Sequence, residues 1–240
     1  MFSGVRLAED APVLAEQAVP ASFAEDVLAG LARSPKSIPP KWFYDAAGSA
    51  LFEEICGLEE YYPTRTEIAL LRAVAPDIAA AIPQGAVLVE FGSGASLKTR
   101  LLLDAAPQIS AYAPIDISPK ALADAAEQLR AAYPNLKVRP VEQDFMHAGP
   151  TAALPDGRRV GFFPGSTIGN LAPQEAMAFL ASAKALLGSG AAFVVGIDLV
   201  KDEPTLLAAY NDRLGVTARF NKNLLMRINR ELGADFDLAA

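Results

Sequence analysis

The chain has one cysteine and one histidine among its 240 residues, and that scarcity removes whole classes of chemistry. Cys56 has no partner for an internal disulfide, which fits a reducing compartment and leads to the expectation of a cytoplasmic protein. It sits in the helical-looking run Ala50 to Cys56, where a small buried residue is the natural reading and a nucleophile would lack a neighbouring histidine. His147 lies in the loop-like stretch Met146 to Pro150. So few ligands exclude most metal sites, and any Ser-His-Asp triad would have to rest on His147, so no metal is expected. Long hydrophobic runs are also missing. The longest, Ala191 to Val200, is broken by Gly196 and Asp198 and is too short to span a bilayer, so no membrane partner is expected. The first ten residues lack the apolar core of a secretory signal. Positive charge is in deficit, with 21 Lys and Arg against 28 Asp and Glu and a net charge of −7. No basic stripe stands ready to neutralise phosphates, so the expected partner is a small molecule rather than a nucleic acid.

What is present can build a core. At 52% hydrophobic, the chain is long enough for one or two domains. Phe23 to Leu31 reads as a short amphipathic helix, stopped by the loop Ser34 to Pro40 with its paired prolines. A second helix is predicted from about Ser49 to Gly57. Thr64 and Glu67 then have capping-box spacing for a long helix reaching about Ala81. From residue 86 strands and helices alternate. Ala86 to Phe91 reads as a strand, followed by a helix to about Ala105 and a strand from Ala111 to Ile117. Ser118 caps the next helix with Pro119 at its first position, and strands follow at Lys137 to Glu142 and Val160 to Phe163. A helix opens at Pro173 and ends before Gly188, and Ala192 to Leu199 forms a fifth strand. The alternation predicts an α/β fold with a parallel sheet covered on both faces.

The chemistry gathers at strand ends. Glu90-Phe91-Gly92-Ser93-Gly94 lies between a strand and a helix, where glycines let the backbone approach a ligand at the carboxyl edge of the sheet. A dinucleotide fingerprint wants a third glycine at position 97, where Leu97 stands. A nucleoside without phosphates, such as S-adenosylmethionine, fits better, with a purely structural turn as the other reading. Asp116 stands at the end of the second strand, 22 residues beyond Gly94, where a carboxylate can accept two hydrogen bonds from a ribose diol. Asp144 and Phe145 follow the third strand, where one can accept from an adenine amino group and the other can pack on the ring. Past the fourth strand, Gly165 to Asn170 makes a polar turn, and Asn170 offers a donor and an acceptor to an amino acid's charged end. A solvated Asp116 and a turn-forming Asn170 are the plainer alternatives.

At these residues the chain resembles the histidine-specific Nα-methyltransferases of ergothioneine biosynthesis. The resemblance runs from about Ser34 to Leu238 and rests on several blocks in one order. They are Pro39-Pro40-Lys41-Trp42-Phe43-Tyr44-Asp45, Gly48 to Phe52, Glu60 to Glu67, Gly165 to Asn170, Asp198 to Asp202 and Phe220-Asn221. It implies a Rossmann-like S-adenosylmethionine methyltransferase sheet with a partly helical substrate-binding cap. Residues 1–62 are expected to form the first part of the cap, 63–200 the cofactor-binding core and 201–240 the start of a second cap segment. It also implies that Gly92, Gly94, Lys98, Asp116, Asp144 and Phe145 touch the cofactor. Tyr61, Asn170 and Tyr210 are then expected at the α-amino and α-carboxylate end of L-histidine, with Tyr44 and Phe52 lining the same pocket. Tyr61 and Asn170 are expected to carry the catalytic role by orienting the amine, with solvent or a nearby carboxylate taking its proton. Without the resemblance, the three tyrosines read as packing residues.

One departure shapes the remaining expectations. The family continues past Ala240, so the last sheet strands and the imidazole-recognising residue are expected to be missing, leaving an exposed apolar sheet edge. A fragment is expected rather than a shortened working enzyme. The resemblance implies three successive methylations to the betaine hercynine, and a monomer is expected. An N-methyltransferase for another amine and a non-catalytic S-adenosylmethionine-binding fragment stay open as rival readings.

Overall fold

A computed structural model describes residues 23–94, 97–147 and 154–239. The first ten residues, and Ala148 to Pro150 of the loop around His147, lie outside the described residues. The chain divides between Pro39 and Pro40 into two compact units. In the first, helix α1 (Phe23–Leu31) carries Glu25 and Asp26 in its first turn, where acidic side chains complement the helix dipole. The chain then doubles back so closely that a Cβ on Gly30 would stand 2.1 Å from the Ser37 carbonyl oxygen. Glycine is required there by space alone.

The second unit is built on a six-stranded sheet, parallel in every pairing. Its strands are β1 (Ala86–Phe91), β2 (Ile109–Asp116), β3 (Lys137–Val138), β4 (Val141–Glu142), β5 (Arg159–Phe163) and β6 (Ala192–Val195). The order is β3-β2-β1-β5-β6, with β4 also pairing to β2. β1 is buried at all six positions, which is why it reads as an unbroken apolar run rather than an alternating one. Leu88, Tyr112 and Phe162 share one core with Leu71 and Ala79 of α3 (Tyr62–Ala81), Leu102 of α4 (Leu97–Ala105) and Leu129 of α5 (Pro119–Ala132). Val87, Val89, Phe91 and Phe163 share the core of the other face with Phe179 and Leu186 of α6 (Pro173–Leu187). The expected α/β architecture is therefore observed.

Several element boundaries differ from the sequence reading. The stretch expected as one strand from Lys137 to Glu142 is two short ladders, because Arg139 and Pro140 interrupt it and proline has no N–H to donate. β6 ends at Val195 rather than Leu199, and beyond it Ile197, Leu199 and Val200 are exposed. The long helix begins at Tyr62, with Pro63 in its first turn, two residues before the expected Thr64 cap. Glu67 is consequently not a capping residue and points elsewhere. The second helix, α2 (Ala46–Cys56), starts three residues early because Asp45 caps it, accepting from Gly48 N at 2.8 Å.

The segments flanking the sheet are tied to each other. α7 (Glu203–Tyr210) is capped by Asp202, and α8 (Val216–Leu232) by Asp212, which accepts from Val216 N at 2.9 Å and Thr217 N at 2.7 Å. Burial works to raise the Asp212 carboxyl, yet the two N–H donors bring it down to about 2. α8 packs on α2 and on the 3₁₀ turn Pro40–Phe43. Phe43 and Phe220 stack at 5.0 Å, Arg227 donates to the Trp42 carbonyl at 3.0 Å, and Arg219 pairs with Glu54 at 2.6 Å.

Candidate active site

The chain winds from β1 outward through β2 to β3 and β4, then returns to β5 on the opposite side of β1. That reversal falls between β1 and β5, and open α/β sheets bind ligands beyond the carboxyl ends of the strands at such a point. Gly92 leaves β1 there at φ +73, a conformation that L side chains disfavour, and its N–H donates to the Ile115 carbonyl at 2.8 Å. A Cβ on Gly92 would meet the Phe145 ring at 3.3 Å. Gly94, at φ +45, has open space where its Cβ would be.

Strand register brings the other edge residues beside this turn. Phe91 pairs with Ile115, Asp116 with Glu142, and Gln143 N donates to the Asp116 carbonyl at 3.0 Å. Asp116 turns its carboxylate back to accept from Ser118 N at 3.1 Å. Asp144 accepts from Met146 N at 3.0 Å and forms an ion pair with Lys41 at 3.1 Å. Each carboxylate oxygen has two lone pairs, so these bonds leave acceptor capacity for a ligand. Phe145 packs against Phe163 and Phe179, with centroids 5.6 and 5.7 Å away. Gly92, Asp116, Asp144 and Phe145 thus adjoin along one sheet edge.

Lys98, in the first turn of α4, reaches the turn after β5, its Nζ 3.3 Å from where a Gly165 Cβ would stand. It pairs with Glu67 at 2.5 Å. Beneath the glycine turn, Glu90 is buried and accepts from Thr99 Oγ1 at 2.6 Å and from the Tyr112 hydroxyl. Burial raises its carboxyl to about 7, against the pull of those two donors.

A second group is aromatic. Tyr44 meets Phe52 edge-on at 5.5 Å, Phe52 meets Tyr61 at 6.3 Å, and Tyr61 meets Tyr210 at 5.8 Å. Phe220 joins them from α8, 5.7 Å from Tyr44 and 6.0 Å from Phe52. Burial and the neighbouring Cys56 and Tyr210 push the Tyr44 phenol up to about 12, and burial together with Tyr210 also raises the Tyr61 phenol. Both hydroxyls stay protonated at neutral pH and can donate. Asn170 ends the 3₁₀ turn Thr167–Asn170 with its side chain exposed. Its turn is linked to the start of α3: Ser166 Oγ accepts from Asp198 N at 2.9 Å, and Asp198 accepts from the Tyr62 hydroxyl at 2.5 Å. Ser166 itself holds a left-handed backbone at φ 55, a strain of about 1–2 kcal/mol.

The chain is similar to known proteins over most of its length. The family described as histidine-specific, SAM-dependent methyltransferases matches residues 23–240. The chain belongs to that family. It is 47% identical over 231 residues to histidine N-alpha-methyltransferase of Mycolicibacterium smegmatis, covering 95% of this chain and 71% of that protein. The corresponding Mycobacterium tuberculosis enzyme is 44% identical, with the same two shares covered. Ergothioneine biosynthesis protein 1 of Neurospora crassa is 32% identical over 205 residues, which are 83% of this chain and 23% of that protein.

As a histidine-specific methyltransferase, the chain has a strand-end edge that suits S-adenosylmethionine. A glycine turn admits close approach, acidic side chains stand at two successive strand ends, and a cation lies at the start of α4. Sequence reasoning missed Glu67, Glu90, Lys41, Phe220 and the Tyr62–Asp198–Ser166 link. Glu90 could have been suspected as the one ionisable residue in an otherwise apolar strand. Lys41, Glu67 and Phe220 lay inside recognised blocks, yet nothing in their spacing names a partner. No helix among the described residues is long and apolar enough to cross a membrane.

Proposed function

We propose that the protein transfers methyl groups from S-adenosylmethionine to the α-amine of L-histidine, forming the trimethylated betaine hercynine. The observation that carries this reading is the juxtaposition of Gly92, Asp116, Asp144 and Phe145 along one sheet edge, with Lys41 reaching Asp144 from the segment that also bears Tyr44. Asp116 holds the ribose hydroxyls, Asp144 and Phe145 hold the adenine, Gly92 and Gly94 let the backbone approach, and Lys98 meets the methionyl carboxylate, the one anionic group of the cofactor. When bound, the cofactor supplies a methyl group on a sulfonium, open to in-line displacement.

The protein's own task is positioning, which can contribute about 7–11 kcal/mol. Tyr61 and Asn170 orient the α-amine, Tyr210 assists at the carboxylate end, and Tyr44 and Phe52 line the pocket. The amine must lose its proton before it can attack, to solvent or to a nearby carboxylate. Segments 1–62 and 201–240 belong to the substrate-binding cap, and 63–200 forms the cofactor-binding core. The protein works on a small molecule as a cytoplasmic monomer without a nucleic-acid partner, in keeping with its net charge of −7 and unpaired Cys56.

The test is mass-spectrometric. Incubation with S-adenosylmethionine and a panel of amino acids and amines is expected to yield hercynine from histidine alone. Methylation of another amine instead would reassign the substrate, and cofactor binding without any methylation would leave a binding fragment.

A further inference from the structure

Glu67 sits where three cofactor-edge elements meet. Its Oε1 accepts from Gly165 N at 2.7 Å, in the turn after β5, and its Oε2 pairs with Lys98 Nζ at 2.5 Å, in the first turn of α4. A Cβ on Gly196, just past β6, would stand 2.2 Å from Oε1, so that glycine leaves the room Glu67 occupies. Both members of the pair are largely enclosed, with side chains 16% and 23% exposed. One carboxylate therefore clamps the ammonium of Lys98 against the turn that follows β5.

We propose that Glu67 is a positioning residue that holds Lys98 for the carboxylate of the cofactor's amino-acid tail. The inference rests on the cofactor reading above and adds a residue to it. A free lysine carries four rotatable bonds and loses that freedom when it binds an anion; a lysine already held by Glu67 has lost it beforehand. An ammonium has three donors, so bonding to Glu67 leaves donors for the ligand. Glu67 also places a negative charge near an anionic group. Its two partners, a full cation and a backbone N–H, offset that charge at contact distance, so prepositioning outweighs repulsion.

The ligand's tail provides the discriminating experiment. S-Adenosylhomocysteine has the amino-acid tail, and 5′-methylthioadenosine keeps the nucleoside without it. Calorimetry on Glu67→Gln, which keeps an acceptor for Gly165 N but releases Lys98, is expected to show Kd for S-adenosylhomocysteine raised about 3- to 10-fold with Kd for 5′-methylthioadenosine unchanged. In a Lys98→Met background the same substitution is expected to have no further effect on either ligand. Glu67→Asp, too short to reach both partners, gives the same selective loss and serves if the glutamine variant does not fold. Equal weakening of both ligands, unchanged binding or tighter S-adenosylhomocysteine binding each overturns the role of Glu67. Failure of the unaltered protein to bind either ligand overturns the cofactor reading instead.

Discussion

Asp45 and Asn223 stand 178 residues apart in the chain and share a 2.7 Å hydrogen bond, Asn223 Nδ2 donating to Asp45 Oδ1. Arg230 pairs with the other oxygen at 2.9 Å, and the Gly48 N–H completes the set. A single side chain thus caps α2 and fastens it to α8. Asp45→Ala is expected to lower stability by about 2–3 kcal/mol, the sum of a lost cap and a stranded part-buried amide. Urea denaturation measures it. Burial, the largest influence, works to raise the Asp45 carboxyl, but Gly48, Arg230 and Asn223 together hold it below its ordinary 3.8. Its contribution is therefore full above pH 3.8 and is lost as pH falls through the depressed folded value. The alanine variant should close on the parent protein in that acid range.

Glu90 has the opposite pH signature. Its folded carboxyl sits at about 7 against an ordinary 4.5, chiefly through burial. The folded state then binds the proton more tightly than the unfolded state, so this contribution is greatest below pH 4.5 and declines as pH rises to about 7. Glu90→Gln removes the ionisation while keeping an acceptor for Thr99 or Tyr112. Relative to the parent, the variant is expected to gain on the order of 3 kcal/mol across that window. Parallel pH–stability curves for the two proteins would show that Glu90 titrates normally.

Substitutions in the proposed substrate pocket should separate from those at the cofactor edge. Tyr61→Phe and Asn170→Ala are each expected to lower kcat/KM for histidine about 10- to 100-fold, the effect of one hydrogen bond to a charged group. Kd for S-adenosylhomocysteine should not move. Unchanged histidine turnover would remove both residues from the pocket.

Asp116→Ala should do the reverse. Loss of a carboxylate bonded to two ribose hydroxyls is expected to raise Kd for S-adenosylhomocysteine about 10- to 100-fold by calorimetry. An unaltered Kd would take Asp116 out of the site.

The difference between Glu67 and Asp116 shows what could be read in advance. Asp116 ends an apolar strand at a ligand-binding spacing from Gly94, so local pattern sufficed to single it out. Glu67 sits three residues from Thr64 and matched a local motif equally well, yet the helix starts at Tyr62 and Glu67 bonds to Gly165, 98 residues away. The broken strand at Arg139 and Pro140 was legible in principle, since proline interrupts a ladder wherever it falls. Phe220 carried no signal of its own, and its place against Tyr44 and Phe52 depends on how α8 packs.

The order of strands and helices, the glycine turn at Gly92 and the acidic strand ends were determined by the sequence itself, because each arises from residues close together in the chain. Hydrophobic period, capping and backbone conformation all act over a few residues. Tertiary structure alone decided the Lys98–Glu67–Gly165 clamp, the place of Phe220 against Tyr44 and Phe52, and the Asp45–Asn223 fastening. Each joins side chains from distant elements at contact distance, and such contacts depend on how helices pack against the sheet and each other, a relation no local window contains.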